Sequence, residues 1–316
     1  MNIKDRNQLQ LQAQSCLQNA SFDTKKRVLI HTGITVGVSL IISLLGLLIQ
    51  QGVAQTGGLS GIQNRSMLQT LQSFLNTAYS IAMIFWPVGL VYTFMRVARG
   101  EHSEQRDLMR GFHRWGPVLR LTLLKYLLFI GLTMLCAYVS SMVAMTISPK
   151  FMDVMTPIAI AMEEDPNVDV MALFAQIPTS DLVAGLAPMV IIFVVLFLVV
   201  AVYFGYRLRF ACYAIVEEYK LGAIAAMKQS MRMTKGHVKD LFMLDLRFWL
   251  YYLLSLLITA ICFVDLLPGV AEALPVDSSV SGILCYCIYA VLLLWLDYTF
   301  RPKVEATYAV AYDTLK

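Results

Sequence analysis

Long apolar blocks, separated by polar connections, follow one another along the whole chain. A helix needs ~20 apolar residues to cross the ~30 Å hydrocarbon core of a bilayer, and several blocks approach or exceed that length. The pattern therefore predicts an all-α, polytopic membrane protein with interfacial amphipathic helices on its cytoplasmic side. Six transmembrane helices are expected, at about 28–50, 74–97, 118–147, 189–206, 241–264 and 282–300.

Amphipathic segments are predicted on either side of the six-helix transmembrane domain, residues 28–300. Residues 1–27 place Leu9 and Leu11 among Gln, Asn and Lys, which predicts a cytoplasmic helix lying on the membrane surface. A disordered tail is the alternative for this segment. Residues 301–316 are expected to form a second amphipathic segment, also cytoplasmic.

The longest connection between predicted spans, residues 149–187, is acidic and also rich in Met. This mixture predicts one or two short helices folded over the bundle. The pair Asp165-Pro166 is expected to separate them, because Asp-Pro favours a turn.

The composition supports a membrane protein. Hydrophobic residues make up 58% of the chain and charged residues 15%, whereas a soluble domain is about 45–50% apolar and about 25% charged. A very apolar soluble bundle is the alternative. It is disfavoured because several apolar blocks are long enough to span a bilayer.

The positions of Lys and Arg indicate the orientation, because cytoplasmic loops carry an excess of these residues. Of the 25 Lys and Arg residues, only Arg65 and Lys150 lie in connections assigned to the outside. The segments 96–125 and 207–247 are densely basic and are assigned to the inside. We therefore expect the chain in the cell membrane with its N- and C-termini in the cytoplasm.

The stretch Tyr213–Trp249 joins the fourth predicted span to the fifth. A helix is expected over residues 221–234. Small side chains recur along it at spacings of three and four residues, so they share one face and let the helix lie close against a neighbour. They are Ala223, Ala226 and Ser230, with Met233 completing the face.

A basic stripe follows another face of this helix, at Lys228, Arg232 and Lys235. Such side chains reach lipid phosphates while their stems cover apolar surface. We therefore expect the lipid bilayer, and its anionic headgroups in particular, as partners of this stripe.

The segment from Glu217 to Gly236 is called the elbow below. Its carboxylates at the start suit the positive end of a helix, and its final glycine suits a left-handed helix stop. The elbow is either purely structural or a gate or lipid-headgroup site. Its candidate residues are Glu217, Glu218, Lys228, Ser230, Arg232, Lys235 and Gly236.

The runs YAIVEE and AAMKQSMRMTKGHVKDLFMLDL resemble the signature segment of a family of six-helix bacterial membrane proteins of unknown function. They are also similar to the membrane domain fused to some glycerophosphodiester phosphodiesterases. In that group an acidic residue, an Ala-hydrophobic-basic-x-Ser-x-Arg run and a basic-Gly pair precede a membrane helix. The matching positions are Glu217, Ala226-Met227-Lys228, Ser230, Arg232, Lys235 and Gly236.

This resemblance is specific over residues 213–246 and looser over the rest of the chain. It implies a six-helix fold in a bacterial cell membrane. It implies no substrate, and the phosphodiesterase activity is not carried over because the sequence contains no such catalytic domain.

Five charged residues lie just inside the cytoplasmic boundary of the predicted spans: Arg120, Lys125, Asp245, Arg247 and Asp297. Charges at that depth usually face the bundle and pair with one another, so these residues form a candidate polar pocket. Asp297 can also reach Arg301, four residues further along a helix. The alternative is that the side chains extend individually to the membrane interface.

A weak internal repeat relates Arg110-Gly111 to Lys235-Gly236. Nine residues past each glycine stands a charge flanked by leucines, Arg120 in one case and Asp245 in the other. Many transporters are built from such repeats. Equal depth would let Arg120 pair with Asp245; coincidence between two similar helix entrances is the alternative.

The sequence contains no Walker phosphate loop, no G-x-S-x-G elbow and no H-E-x-x-H motif. We therefore expect no enzyme activity, no cofactor, and no catalytic, cofactor-binding or metal-binding residues. Nucleic acid is not expected as a partner either, because basic residues on the inner face serve topology first.

Two functional hypotheses follow from these observations. The first is a non-enzymatic membrane protein that transports or accommodates a small amphipathic molecule or lipid. The second is an assembly or interaction protein that recruits a protein partner, whose identity the sequence does not indicate, through its basic cytoplasmic surface. A membrane-embedded lipid enzyme is a third and weaker hypothesis.

Overall fold

The computed structural model describes residues 6–20, 24–55, 59–165, 169–261 and 278–316. All regular secondary structure among these residues is helical, which confirms the all-α prediction. The chain divides into two compact units. Unit 1 comprises Met1–Thr122 and Arg209–Lys316, and unit 2 comprises Leu123–Leu208.

Five helical segments in the described part of the chain are long and apolar enough to cross a membrane: Thr24–Gly46, Met67–Ala98, Trp115–Ile147, Thr179–Glu217 and Val238–Ala260. They correspond to the first five predicted spans. The sixth, 282–300, is helical but is not one of these five segments. Residues 262–277, which include the predicted end of the fifth span, lie outside the described residues.

The helices follow one another in this order. Unit 1 begins with α1 (Arg6–Asn19), α2 (Thr24–Gln55), α3 (Leu59–Ala98), α4 (Arg110–His113) and the first residues of α5 (Trp115–Ile147). Unit 2 contains the rest of α5, α6 (Pro149–Glu164), α7 (Val170–Gln176) and α8 (Thr179–Arg207). Unit 1 resumes with α9 (Ala211–Glu217), α10 (Ala223–Met233), α11 (Val238–Asp245), α12 (Trp249–Ile261) and α13 (Ser278–Leu315).

Within unit 2, α6 packs against α8. Gly185 of α8 lies so close to the side chain of Val154 and the backbone of Lys150 that an added Cβ would require a shift. Two short helices, α6 and α7, confirm that residues 149–187 form short helices, and their position over the bundle stays a prediction. Helix α8 begins at Thr179, however, and therefore starts earlier than the predicted 189.

Helix α13 is the central element of unit 1, since it packs against α1, α2, α3 and α12. Every residue from 306 to 312 is buried, including three alanines whose small side chains let neighbouring helices approach. The sequence predicted a separate amphipathic segment at 301–316. In the structure these residues instead belong to α13. The helix continues through Pro302, and its last turns form part of the core of unit 1.

Helix α1 confirms the helix predicted near the N-terminus and rules out the disordered alternative for residues 6–19. It packs on α13 and α3, and Leu9 and Ala13 are buried there. Its apolar face is thus covered by protein, while Leu11 is exposed.

The connection between α3 and α5 packs tightly against α3. An added Cβ at Gly89 would collide with the carbonyl oxygen of Leu108, and one at Gly111 would collide with that of Phe85. Arg27 of α2 holds the same connection, because its buried guanidinium donates to Ser103 Oγ at 2.9 Å.

Regular α-helix is broken just after the fourth predicted span and within the fifth. Helix α8 ends at Arg207 and α9 begins at Ala211; helix α11 ends at Asp245, and a 3₁₀ turn precedes α12 at Trp249. The second break is a 3₁₀ turn inside the predicted span 241–264, whose described part belongs to one apolar helical segment, Val238–Ala260. Neither break contains proline or glycine. Arg209 at the first break and Asp245 at the second form an ion pair, which is described below.

Candidate functional site

Unit 1 contains a cavity of about 440 Å³ between α2, α3, α12 and α13, here called the polar cavity. Its volume is within the range of small-molecule sites, about 300–1,000 Å³. Its polar and aromatic lining consists of His31, Thr32, Thr35, Arg209, Tyr213, Tyr251, Tyr252, Ser255, Asp297, Arg301, Glu305 and Tyr308. The remaining lining residues are Met83, Pro87, Leu293 and Val304.

Two polar side chains in this lining are buried without a hydrogen-bond partner in the described part of the protein. His31 is 2% exposed and neither of its ring nitrogens has a partner. Tyr308 is 3% exposed and its hydroxyl has none either. Because nearly all buried polar atoms in proteins are hydrogen-bonded, such exceptions need an explanation. Here both groups line a space that a small molecule could fill.

The position of His31 is fixed by Trp86 of α3. The two rings are stacked, with centroids 5.0 Å apart and planes inclined by 15°. The Trp86 indole N–H also donates to the backbone oxygen of His31 at 3.2 Å. Packing therefore fixes the imidazole beside the cavity, and its two buried ring nitrogens have no partner among the described residues.

Asp297 is the best-satisfied charge of the polar cavity. Its carboxylate accepts hydrogen bonds from Thr32 Oγ1 at 2.7 Å, from the Tyr251 hydroxyl at 3.0 Å and from Arg301 Nη1 at 2.7 Å. The predicted contact between Asp297 and Arg301 along one helix is confirmed. Arg301 also lies 3.6 Å from Glu305, so the cavity charges on α13 form one network.

The two helix interruptions meet in an ion pair. Arg209, in the break between α8 and α9, donates to Asp245 Oδ2 at 2.6 Å, and Asp245 is the last residue of α11. Tyr252 donates to the other carboxylate oxygen at 3.1 Å. The Arg209 guanidinium also lies over the ring of Tyr308, 3.6 Å from its centroid. Arg209 thus connects the interrupted helices to the polar cavity.

The residues of the predicted polar pocket are only partly brought together. Asp297 lines the cavity, and Asp245 contacts its lining through Arg209. Arg120 is exposed, and Arg247 donates to Gln10 at 3.1 Å on an exposed surface. Lys125 is half-buried and belongs to unit 2.

The predicted partner of Asp245, Arg120, is therefore corrected to Arg209. The repeat that suggested Arg120 also loses support. Gly236 has a positive φ of 85° and open space around it, whereas Gly111 lies in α4 in tight contact with α3. The two basic-Gly pairs have different structural roles, and only Gly236 is the predicted left-handed helix stop.

The elbow helix, α10, has the two faces that the sequence predicted. Ala223, Ala226 and Ser230 are buried, and α10 packs against α9. The cations of the stripe, Lys228, Arg232 and Lys235, are exposed on the other side. Their contact with anionic lipid headgroups stays a prediction.

The start of the elbow is tied to the end of the chain. Glu217 accepts hydrogen bonds from Arg99 at 2.8 Å, from the Tyr312 hydroxyl at 2.6 Å and from Lys316 at 2.7 Å. Arg99 also pairs with Asp313. We call these five residues the clasp. Burial and the bond to Glu217 raise the pKa of Tyr312, and the hydrogen bond to Asp313 raises the pKa of Arg99, so both retain their protons at neutral pH.

Glu218, the second carboxylate predicted for the elbow, has an exposed side chain. Its backbone oxygen accepts a hydrogen bond from the buried Arg114 at 2.9 Å, and Arg114 also donates to the carbonyl groups of Ile215 and Tyr219. Arg114 therefore satisfies carbonyls that the end of α9 leaves unpaired.

Several cavity residues were not predicted from the sequence: His31, Arg209, Tyr251, Tyr252 and Tyr308 are the main ones. One sequence signal could have found Arg209. The triplet Leu-Arg-Phe occurs at 208–210 and again at 246–248, and both copies lie at a helix interruption. His31 carries no such signal, because its burial depends on Trp86, which is distant in sequence.

The arrangement suits binding by hydrogen bonds and charge. No group of three or more His, Cys, Asp or Glu side chains that could hold a metal ion occurs among the residues that the structure describes. The cavity offers a phenol, an imidazole and two ion-paired arginines, all of which can orient a polar group.

The chain matches the family described as "Protein of unknown function (DUF975)" over residues 1–312, and it belongs to that family. No curated protein and no solved structure matches it. The family agrees with the resemblance noted from the elbow in that both are of unknown function. The similarity to the phosphodiesterase membrane domain stays a prediction.

Proposed function

We propose that this protein binds a small molecule in the polar cavity and accommodates or transports it within the cell membrane without converting it chemically. The observation that carries this proposal is the pair of buried, unpartnered groups, His31 and Tyr308, in the lining of one cavity. A buried hydroxyl without a hydrogen bond costs about 1–3 kcal/mol. Two such groups at one site lower the stability of the unliganded protein. Binding of a ligand that hydrogen-bonds to them is the simplest function that would offset this cost.

The interrupted helices support the same function. Membrane transporters commonly build their binding sites from discontinuous helices, whose free ends and charged side chains contact the substrate. In this protein, Arg209 and Asp245 stand at two interruptions, and Arg209 lines the polar cavity. The proposal rests on this arrangement and on the unpartnered groups, and it deepens the first sequence hypothesis.

The proposal includes six membrane spans, with both chain ends in the cytoplasm. The distribution of Lys and Arg supports this orientation. In intact cells, a membrane-impermeant thiol reagent should label a cysteine introduced at position 160 and leave one at position 105 unlabelled. Labelling at position 105 would overturn the orientation.

The binding function is tested by mass spectrometry of small molecules that co-purify with the protein. A molecule retained by the wild type should be depleted about tenfold from Tyr308→Phe, since one hydrogen bond of about 1.4 kcal/mol corresponds to that ratio. Tyr298→Phe is the matched control, because Tyr298 is exposed on the same helix and does not line the cavity.

Equal retention by all three proteins, or no retained molecule in any of them, would contradict the proposal. Recovery of a retained molecule in a chemically altered form after incubation with the protein would contradict its non-enzymatic part.

A further inference from the structure

A second cavity adjoins the polar cavity and differs from it in chemistry. This apolar pocket has a volume of about 180 Å³ and is lined by Ile34, Thr35, Val38, Tyr79, Ala82, Met83, Trp86, Met109 and Phe112. Thr35 and Met83 line both spaces. The His31–Trp86 stack also joins them, since His31 lines the polar cavity and Trp86 lines the apolar pocket. The two spaces are therefore neighbours.

The polar atoms around the apolar pocket already have partners. The Tyr79 hydroxyl donates to the backbone oxygen of Thr35 at 3.3 Å, and the Thr35 hydroxyl donates to the backbone oxygen of His31 at 2.9 Å. The Trp86 indole N–H likewise donates to the backbone oxygen of His31. This pocket therefore presents hydrocarbon and aromatic surface to a ligand, whereas the polar cavity presents unpartnered polar atoms.

The apolar pocket also has exposed residues at its edge. Ile34, Val38 and Met109 line it and are exposed. An alkyl chain can thus enter from the side, and its burial is favourable by roughly 0.8 kcal/mol for each CH₂ group.

The charges of the polar cavity do not balance. Of the charged residues that line the cavity, Arg209 is paired with Asp245, which lies outside the lining, so Arg301 alone faces the two lining carboxylates, Asp297 and Glu305. One negative charge is therefore in excess. A cation near this excess charge is favoured and a further anion is disfavoured. Tyrosine rings in the lining add a favourable surface for a cation.

The unpartnered groups fit the same ligand. A neutral imidazole has one nitrogen that accepts a hydrogen bond, and a tyrosine hydroxyl also accepts. A primary ammonium group is a donor in three directions and has no acceptor. It can therefore satisfy both His31 and Tyr308 and offset the excess negative charge.

We infer that the ligand is an amphiphile whose primary ammonium head occupies the polar cavity and whose alkyl chain occupies the apolar pocket. This inference rests on the proposed function and names its ligand class. The alkyl chain passes Thr35 and Met83, which line both spaces, and lies beside Trp86.

The position of the chain is tested by fluorescence, with Trp86 as the reporter. Trp115, Trp249 and Trp295 are exposed, so their replacement by Phe leaves Trp86 as the remaining tryptophan at little structural cost. A long-chain primary amine brominated in its alkyl chain should quench Trp86 saturably. The matched control retains Trp115 instead of Trp86 and reports only partitioning into the membrane, so its quenching should not saturate.

A blocking variant completes this test. Ala82→Leu fills the apolar pocket and should abolish the saturable quenching. Saturable quenching that survives Ala82→Leu would overturn the placement of the chain. If a molecule co-purifies in the Tyr308-dependent manner described above but Trp86 is not quenched saturably, the placement fails and the proposed function stands. If no molecule co-purifies and Trp86 is not quenched saturably, the placement of the chain and the proposed function both fail.

The head is tested with three brominated amphiphiles that share one chain and end in an amine, an alcohol or a phosphate. The amine should bind about tenfold more tightly than the alcohol, as expected for one desolvated cation interaction, and the phosphate should bind most weakly. Glu305→Gln removes the excess negative charge and should abolish this preference. Glu101→Gln, an exposed site outside the cavity, should retain it. Tightest binding of the phosphate, or equal binding of all three, would overturn the assignment of the head.

Discussion

Tyr308 and Tyr312 lie one turn apart on α13, and both are buried, but their hydroxyl groups have opposite surroundings. The Tyr312 hydroxyl donates to Glu217 at 2.6 Å within the clasp, where a carboxylate is also held by Arg99 and Lys316. Tyr308 lines the polar cavity, and its buried hydroxyl has no partner among the described residues.

This difference separates a region whose polar groups are paired from the region in which we propose that a ligand binds. In the clasp each charged or phenolic group contacts another, so the last turns of α13 are fixed to α9 and to the end of α3. In the polar cavity the charges are paired, but His31 and Tyr308 are not. Natural proteins depart from full hydrogen bonding mainly where function requires it. The comparison therefore identifies neutral polar groups, rather than the charges, as the informative part of the cavity.

The largest effect is expected at the ion pair between the interrupted helices. Asp245→Leu leaves the Arg209 guanidinium without its carboxylate and should cost about 2–3 kcal/mol of unfolding free energy. This is less than the ~3–5 kcal/mol of a fully buried pair, because the Arg209 side chain retains 26% exposure. Chemical denaturation in detergent micelles measures the loss. The double variant with Arg209→Leu should recover part of it.

The same experiment distinguishes Arg209 from the partner that the sequence suggested. Arg120 is exposed, so Arg120→Leu should change stability by less than about 0.5 kcal/mol. Its effect should add to that of Asp245→Leu without coupling. A coupling energy between Arg120 and Asp245, and none between Arg209 and Asp245, would show that the pairing of the interrupted helices is misassigned.

Much of the fold could be predicted because membrane insertion depends on local sequence. A long apolar block predicts a helix whatever its neighbours are, so five predicted spans correspond to five apolar helices. The two faces of α10 could also be predicted, since helical periodicity alone separates Ala226 from Lys228. The buried end of α13 could not, because its burial depends on α1, which lies at the other end of the chain.

The cavity was harder to predict than the fold for a related reason. Asp297 was identified because a charge within an apolar block is conspicuous. Its partners Thr32 and Tyr251 come from α2 and α12, and such ordinary residues become special only when the helices pack. The predicted partner of Asp245, Arg120, was wrong. Equal depth in the membrane places two residues at the same level along the helix axes, but it does not say in which direction each side chain points around its helix.

A smaller effect is expected in the clasp. Tyr312→Phe removes a hydrogen bond to a carboxylate but leaves Glu217 with Arg99 and Lys316, so we expect a loss of about 1.5 kcal/mol. Because the pKa of Tyr312 is raised in the folded state, its stabilisation is complete below the unfolded pKa and declines as pH rises beyond it. The difference from wild type should therefore be constant up to about pH 9 and narrow only above about pH 10. A difference that narrows near neutral pH would contradict this account of the clasp.

The smallest effect on the free energy of unfolding, and one of opposite sign, is expected for a substitution at Tyr308. Tyr308→Phe removes a hydroxyl that has no protein partner, so the unliganded protein loses no hydrogen bond and should be unchanged or up to about 1 kcal/mol more stable. Tyr308→Phe and Tyr312→Phe make the same chemical change on the same helix, and only the surroundings of the two hydroxyl groups differ. Denaturation is measured after delipidation, so that a retained ligand does not add its own stabilisation. Equal losses for the two variants would mean that the Tyr308 hydroxyl is bonded as firmly as that of Tyr312, and the contrast between clasp and cavity would disappear.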